Sequence, residues 1–267
     1  MHSITSTLEF AQQTAREAGE LIKRLRQSEL RTDFKKGIEL VTNADTEADR
    51  FIRQCIEREY PDHQILAEES NPDLDSIEFD GRCVWVVDPI DGTVNYAHNH
   101  AQVAVSIALI IDGNIEIGVV YNPFTDELFH AQKSKGAFLN NRPISASDKQ
   151  DLERAIIATG FPYNKQAQLP ILINRLHKVL QHVADVRRLG SAALDICWVA
   201  CGRLDAYYES VSLWDCAAGL LIASEAGVQC GHFIKPESTQ YAHLESKHLL
   251  LSNHQLYPAI EEILRNT

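Results

Sequence analysis

Residues 83–93, Cys83-Val84-Trp85-Val86-Val87-Asp88-Pro89-Ile90-Asp91-Gly92-Thr93, govern how the rest of the chain is read. The first five are β-rich, too few for a helix, and deliver Asp88 at their carboxyl end. Pro89 fixes the local backbone, and Gly92-Thr93 starts a turn or short helix with exposed N–H groups. Two carboxylates three residues apart at a strand end can share metal ions. Unpaired N–H groups beside them form an anion site that fits a phosphate. Asp-Gly turns next to a proline also occur as plain turns, so the stretch acquires meaning only with its neighbours.

Upstream, Gln64-Ile65-Leu66-Ala67 reads as a short strand that leads directly to Glu68-Glu69. Before it, Ala48, Phe51, Ile52, Cys55 and Ile56 share one face of a helix that begins around Asp45 and ends before Pro61. Arg31 to Asn43, with Lys35-Lys36-Gly37 at its centre, is polar and reads as a mobile loop or short hairpin, a candidate lid. The first helix is expected from a capping box at Ser6-Thr7-Leu8-Glu9 to about Gln27.

Downstream, Val103 to Ile111, an Asp112-Gly113 turn, Ile115 to Tyr121, a Pro123-centred turn and Glu127 to Gln132 form an antiparallel meander. After Asp148 strands (Ala155 to Thr159, Asp185 to Arg188, Ala206 to Tyr208) alternate with helices (Leu169 to His182, Ala192 to Cys201, Asp215 to Ala226), and a last helix runs from Leu256. The expected fold class is α/β in α+β layers: a single domain over 1–267, with an α+β half at 1–148 and an α/β half at 149–267. Asp215 stands at a helix start, where its plainest reading is an N-cap. The small Ala217-Ala218-Gly219 that follow let that helix approach other backbone closely.

The 267 residues are 45% hydrophobic and 23% charged, enough for a sizeable core without a disulfide or structural metal. The six cysteines, without a C-x-x-C pair, read as free thiols. Lys plus Arg number 25 against 37 Asp plus Glu, and the net charge of −12 disfavours nucleic acid and anionic membranes as partners. The same field repels a phosphate substrate, so a phosphate-handling site here needs local cations, and a bound divalent metal is the obvious source. Met1 to Glu9 lacks a signal-peptide pattern and no segment approaches ~18 uninterrupted apolar residues, so the expected location is the cytoplasm.

Ordered motifs run along almost the whole chain: Leu40-Val41-Thr42-Asn43-Ala44-Asp45, Ala67-Glu68-Glu69-Ser70, Asp88 to Thr93 continuing as Val94-Asn95-Tyr96, Gly118 to Pro123, Lys135-Gly136-Ala137-Phe138, Gly190-Ser191-Ala192-Ala193, Asp205 to Glu209 and Trp214 to Gly219. With these the chain resembles the inositol monophosphatase family, within the lithium-sensitive, magnesium-dependent phosphatase superfamily. The resemblance implies an αβαβα sugar-phosphatase fold, with the antiparallel meander sheet in the N-terminal half and a second, mixed sheet in the C-terminal half. It also implies a homodimer, Mg²⁺ as cofactor and lithium sensitivity.

Residue by residue, the resemblance implies one magnesium held by Glu68, Asp88 and the main-chain carbonyl of Ile90. Asp88, Asp91 and Asp215 would hold a second. Glu68 would approach a third, which Asp45 would reach through water. Oxygen ligands throughout suit Mg²⁺. The implied reaction is hydrolysis of a small phosphate monoester by a metal-activated water, which Glu68 and Thr93 would activate and orient. Gly92 and Thr93 would grip the phosphate. Asp91, Ala192 and Glu209 match hydroxyl-contacting positions, and Gly190 and Ser191 would shape the pocket.

Asn95-Tyr96 after Asp-Gly-Thr resembles the inositol phosphatase pattern, whereas the nucleotide phosphatases usually carry Lys-Glu-Phe there. The expected ester is therefore inositol 1-phosphate. Fructose-1,6-bisphosphate, histidinol phosphate and 3′-phosphoadenosine nucleotides are the rivals within the same mechanism. A binding or regulatory protein with incidental phosphatase activity is the rival of another class, and it predicts a broken ligand set, whereas all four carboxylates stand. Lys35 and Lys36 are equally plausible as the lid lysine, and Val228 to Lys247, with Cys230, His232, Pro236 and His243, matches no motif. His98 and His100, two apart without a third imidazole near, read as loop residues. Arg187-Arg188 suits either a subunit interface, the preferred reading, or a phosphate contact.

Overall fold

The computed structural model describes residues 4–28, 31–35, 39–70, 73–74, 77–163, 165–237 and 240–266. Helix α1 (Ile4–Arg26) is followed by a hairpin of β1 (Thr32–Lys35) and β2 (Glu39–Thr42), with Phe34 opposite Leu40. The polar stretch is thus a short hairpin, and Lys36 lies outside the described residues. Then come α2 (Asn43–Glu59), β3 (Gln64–Ala67), β4 (Cys83–Asp91) and the single-turn α3 (Thr93–Ala97).

β3 lies parallel to β4, and from there an antiparallel meander continues through β5 (Ala104–Ile111), β6 (Asn114–Asn122), β7 (Glu127–Gln132), β8 (Ala137–Leu139) and β9 (Arg142–Pro143). The C-terminal half adds β10 (Ile156–Thr159), α4 (Leu169–Leu180), β11 (Asp185–Arg187), α5 (Ala192–Ala200), β12 (Ala206–Glu209), α6 (Leu213–Glu225), β13 (Gln229–His232), β14 (Leu249–Ser252) and α7 (Tyr257–Arg265). Its mixed sheet runs β11-β10-β12-β14-β13. β13 accounts for part of the stretch that matched no motif: it is the edge strand beside β14.

Strand alternation explains the layering. In β4, Trp85 and Val87 face one way, where Ala11, Ala15, Ala18 and Ile22 of α1 and Ala48, Ile52 and Ile56 of α2 cover them. Val84 and Val86 face the other way, against α5 and α6. Tyr207 of β12 and Leu251 of β14 cover the far side of those two helices, and α4 and α7 close the mixed sheet with Val179, Ile260 and Leu264. The order is αβαβα. Sandwiched between two sheets, α5 and α6 are apolar over most of their surface (Leu194, Ile196, Cys197, Val199; Leu220, Leu221, Ile222), with Asp195, Asp215 and Glu225 as acidic exceptions.

One close approach sets α6 in place. Gly118 of β6 lies so near the Ala218 carbonyl of α6 that a Cβ there would overlap its oxygen, so helix backbone rests on strand backbone. Two local expectations are corrected. α1 is already running at Ile4, so Ser6 is an interior residue and not its cap. Asp215 is not an N-cap either: α6 starts at Leu213 after Ser212, and the Asp215 carboxylate reaches back to accept the Ser212 backbone N–H at 2.7 Å.

Candidate active site

β4 carries its pairing with β5 through Asp88, then slips register before Asp91 meets Ala104. A bulge of this kind re-aims side chains. Asp88 and Asp91 are 1% and 7% exposed. Within the bulge the Asp88 Oδ1 accepts the Ile90 N–H at 2.9 Å. Gly92 follows at φ 96, with room for no side chain: a Cβ would stand 2.7 Å from the Gln102 carbonyl oxygen. Asn95 holds the loop from outside by donating to the carbonyls of Gln102 (2.8 Å) and Leu189 (2.7 Å).

Asp91 is gripped by the start of α5. Its Oδ2 accepts from the Ser191 hydroxyl at 2.5 Å and the Ala193 N–H at 2.8 Å, and its Oδ1 accepts from the Ala192 N–H at 3.3 Å. Ser191, expected only to shape the pocket, is thus an anchor for Asp91 and the N-cap of α5. Ala192, one of the expected hydroxyl-contacting positions, lines the outer cavity and donates its N–H to Asp91.

Asp45 is fully buried at the start of α2. Its Oδ2 accepts from the Thr42 N–H (2.8 Å) and hydroxyl (2.5 Å), and its Oδ1 from the Thr93 hydroxyl (3.0 Å). Thr93 Oγ1 also lies 3.1 Å from the Ile90 carbonyl oxygen. The structure therefore places Asp45 behind Thr93, and three carboxylates come together at the centre of the site. Those are Asp88, Asp91 and Asp215, each offering an oxygen within 4.8 Å of the others. Half-buried Glu68, one residue past β3, donates its N–H to the Val87 carbonyl at 3.2 Å. It lines the same cavity of about 740 Å³ with Gly92, Thr93 and Glu209.

So many carboxylates cannot all ionise unaided. Burial first, then the charges of Glu68, Asp91 and Asp215, hold Asp88 well above the usual carboxylate range. Burial pushes Asp91 up to about 6 despite the hydrogen bonds from Ser191, Ala193 and Ala192. Burial and the charge of Asp91 push Asp215 up to about 8. A divalent cation would resolve this repulsion, and an all-oxygen donor set suits a hard ion such as magnesium.

A second cavity of about 580 Å³ shares Asp91, Gly92, Glu209 and Asp215 with the first and extends past Gly190, Ser191 and Ala192. Glu209 accepts the Tyr207 hydroxyl at 2.8 Å, and burial pushes it up to about 7. Gly160 leaves space for its carboxylate. Phe34 and Leu40 of the hairpin stand at the outer wall, as does exposed His98, while neither His98 nor His100 belongs to the carboxylate cluster. Arg187 pairs with Asp185 at 2.5 Å, whereas Arg188 lines this second cavity. Sequence reading missed Arg188 as a wall residue and missed Asp195, a buried carboxylate within the apolar run of α5. An acidic residue in such a run is the one signal that marks it.

The model of the inositol monophosphatase family matches residues 3–266. A Pasteurella multocida protein named Nus factor SuhB is 41% identical over 223 residues, 82% of either chain. An inositol-1-monophosphatase from Caulobacter vibrioides is 37% identical over 266 residues, 98% of this chain and 99% of that one. The solved structure of extragenic suppressor protein suhB from Bartonella henselae superposes with a TM-score of 0.88 at 33% identity, covering 97% of this chain and 98% of that one. Among the described residues no helix is long and apolar enough to cross a membrane.

Proposed function

The chain belongs to the inositol monophosphatase family, whose activity class is phosphate monoester hydrolysis, and we propose that it acts with Mg²⁺ on a small polyol phosphate, inositol 1-phosphate first. The observation that carries this reading is the convergence of Asp88, Asp91 and Asp215 on the floor of a large cavity. Those three, with Glu68 and the Ile90 carbonyl beside them, would hold the magnesium. When bound, it lowers the pKa of water for attack on phosphorus and offsets charge on the leaving oxygen.

The chain's own groups do the positioning. Thr93 donates its hydroxyl proton to Asp45, which leaves an oxygen lone pair to orient a water beside Glu68. Gly92 and Thr93 offer backbone N–H groups to the phosphate. Glu209, in the outer cavity, takes a hydroxyl of the organic part, and Gly190 and Ser191 shape its wall. Asp91 is fixed by Ser191 and Ala193 before any ligand arrives, which limits the reorganisation the reaction requires.

The test is phosphate release with Mg²⁺ across inositol 1-phosphate, fructose-1,6-bisphosphate, histidinol phosphate and 3′-phosphoadenosine compounds, with Asp91→Asn as the comparison. The highest kcat/KM is expected on inositol 1-phosphate, abolished by chelation. Asp91→Asn should lower the rate about a thousandfold, since one neutral amide oxygen is a weaker ligand. Near-normal turnover in folded Asp91→Asn would remove Asp91 from the site. The proposal includes a homodimer, which light scattering measures.

A second role as a binding or regulatory protein stands beside this one, because the Pasteurella relative is named Nus factor SuhB rather than a phosphatase. Affinity capture with wild type and Asp91→Asn separates the two roles, because a role independent of phosphatase chemistry survives that substitution.

A further inference from the structure

Asp195 sits on the first turn and a half of α5, four residues after the cap Ser191, and is 2% exposed. Its Oδ1 is fully buried and has no hydrogen-bond partner. The neighbouring titratable groups are Asp91, Glu209 and Arg188, and no ion pair within 4 Å joins Arg188 to it among the described residues. An orphaned buried carboxylate costs free energy that nothing in the packing of α5 returns. Residues on both sides, Leu194 and Ile196, are ordinary core.

What Asp195 does share is the outer cavity: it lines the same wall as Asp91, Ala192 and Glu209. Gly190 keeps Arg188 close by, since a Cβ on Gly190 would come within 2.5 Å of the guanidinium Nη1. Besides Asp91 and Asp215 of the cluster, the wall thus holds Glu209, partnered by Tyr207, and Asp195, which has an unused acceptor.

We propose that Asp195 is a specificity-determining residue, a second hydroxyl acceptor beside Glu209 that selects esters whose organic part is a polyol with neighbouring hydroxyl groups. This assignment rests on the polyol phosphate reading above and deepens it. Burial and the charges of Asp91 and Glu209 raise the Asp195 carboxyl well above its ordinary range, with Arg188 opposing. Protonated or not, the carboxyl group keeps an acceptor oxygen without a donor, and a hydroxyl from the ligand supplies one. Apolar groups without such a donor leave it unpaired, which is how a buried polar wall rejects the wrong ligand.

The readout is the ratio of kcat/KM for inositol 1-phosphate to that for p-nitrophenyl phosphate, an ester without hydroxyls, in the Mg²⁺-loaded enzyme. Asp195→Leu removes the acceptor and should lower the ratio about tenfold or more, chiefly through KM for the polyol ester. Asp195→Asn retains an acceptor oxygen and should recover most of the ratio. Melting temperature supplies the second measurement: Asp195→Leu, which removes an orphaned polar group, should melt at or above wild type.

A folded Asp195→Leu with an unchanged ratio, or with equal losses on both esters, overturns the assignment and leaves the polyol reading standing. A wild type that hydrolyses p-nitrophenyl phosphate but no polyol ester overturns both.

Discussion

Stability should depend on pH through the carboxylate cluster, in a direction the structure determines. Asp91, 7% exposed, is raised from its ordinary 3.8 to about 6 when no cation is bound, and Asp215 from 3.8 to about 8. A carboxyl whose folded-state pKa is raised stabilises the fold fully only below its unfolded value. That contribution is lost as pH climbs through about 6 for Asp91 and about 8 for Asp215. For Asp91 the loss comes to ~3 kcal/mol between acid pH and pH 8, of which roughly 0.8 kcal/mol, about 2–3 °C in melting temperature for a chain of this size, falls between pH 5.5 and pH 8. Magnesium should reverse it, since a ligand of the native state at a hundred times its Kd contributes ~2.7 kcal/mol. Protons compete for the same oxygens, so the magnesium shift should be larger at pH 8 than at pH 5.5. Differential scanning calorimetry in chelator and in Mg²⁺ at both values, on wild type and Asp91→Asn, measures this. Metal-free Asp91→Asn should gain on wild type as pH rises. If the gap between them is the same at pH 5.5 and pH 8, or the magnesium shift is independent of pH, the account of the cluster is wrong.

Two further outcomes are expected. Gly118→Ala forces a methyl group against the Ala218 carbonyl and should cost ~1–3 kcal/mol, read as a fall in the denaturant midpoint at unchanged slope; a midpoint equal to wild type would show that α6 can shift freely. Lithium at millimolar concentration should inhibit nearly uncompetitively, because Li⁺ prefers oxygen ligands but brings half the charge of Mg²⁺ to the position held by Asp88, Asp91 and Asp215. No inhibition at ~50 mM in steady-state kinetics would contradict that use of the three carboxylates.

The elements with strong periodicity were legible in the sequence. The strand before Asp88, the helix ending at Pro61 and the 104–132 meander all lie within a few residues of their expected bounds. Leu249 to Ser252 was not legible as a strand, because three leucines and a serine, all buried, carry no period that separates strand from helix. The short β8 and β9 depend on their pairing with β7 more than on local pattern. At the site, Asp88, Asp91 and Glu68 stand out because each follows a β-rich run. The clasp of Ser191 on Asp91 joins residues 100 apart in sequence, and no local spacing foretells it. Asp195 was hidden for the opposite reason: its neighbours spell only a buried helix.

Asp88, Asp91, Glu68 and Thr93 come from the first half of the chain, while Gly190, Ser191, Ala192, Asp195 and Glu209, which wall the outer cavity, come from the second. Within the carboxylate cluster Asp215 is the member from the second half, carried to Asp88 by α6 lying on β6. Substitutions in the second half can thus remodel which alcohol is accepted without disturbing the acidic floor, provided α6 keeps its seat and Ser191 its hold on Asp91. Such a division makes the molecule readily evolvable. Its descendants can diverge in diet while inheriting the same reactive centre, and a designer seeking a new substrate would leave residues 83–93 alone and diversify the wall that faces them.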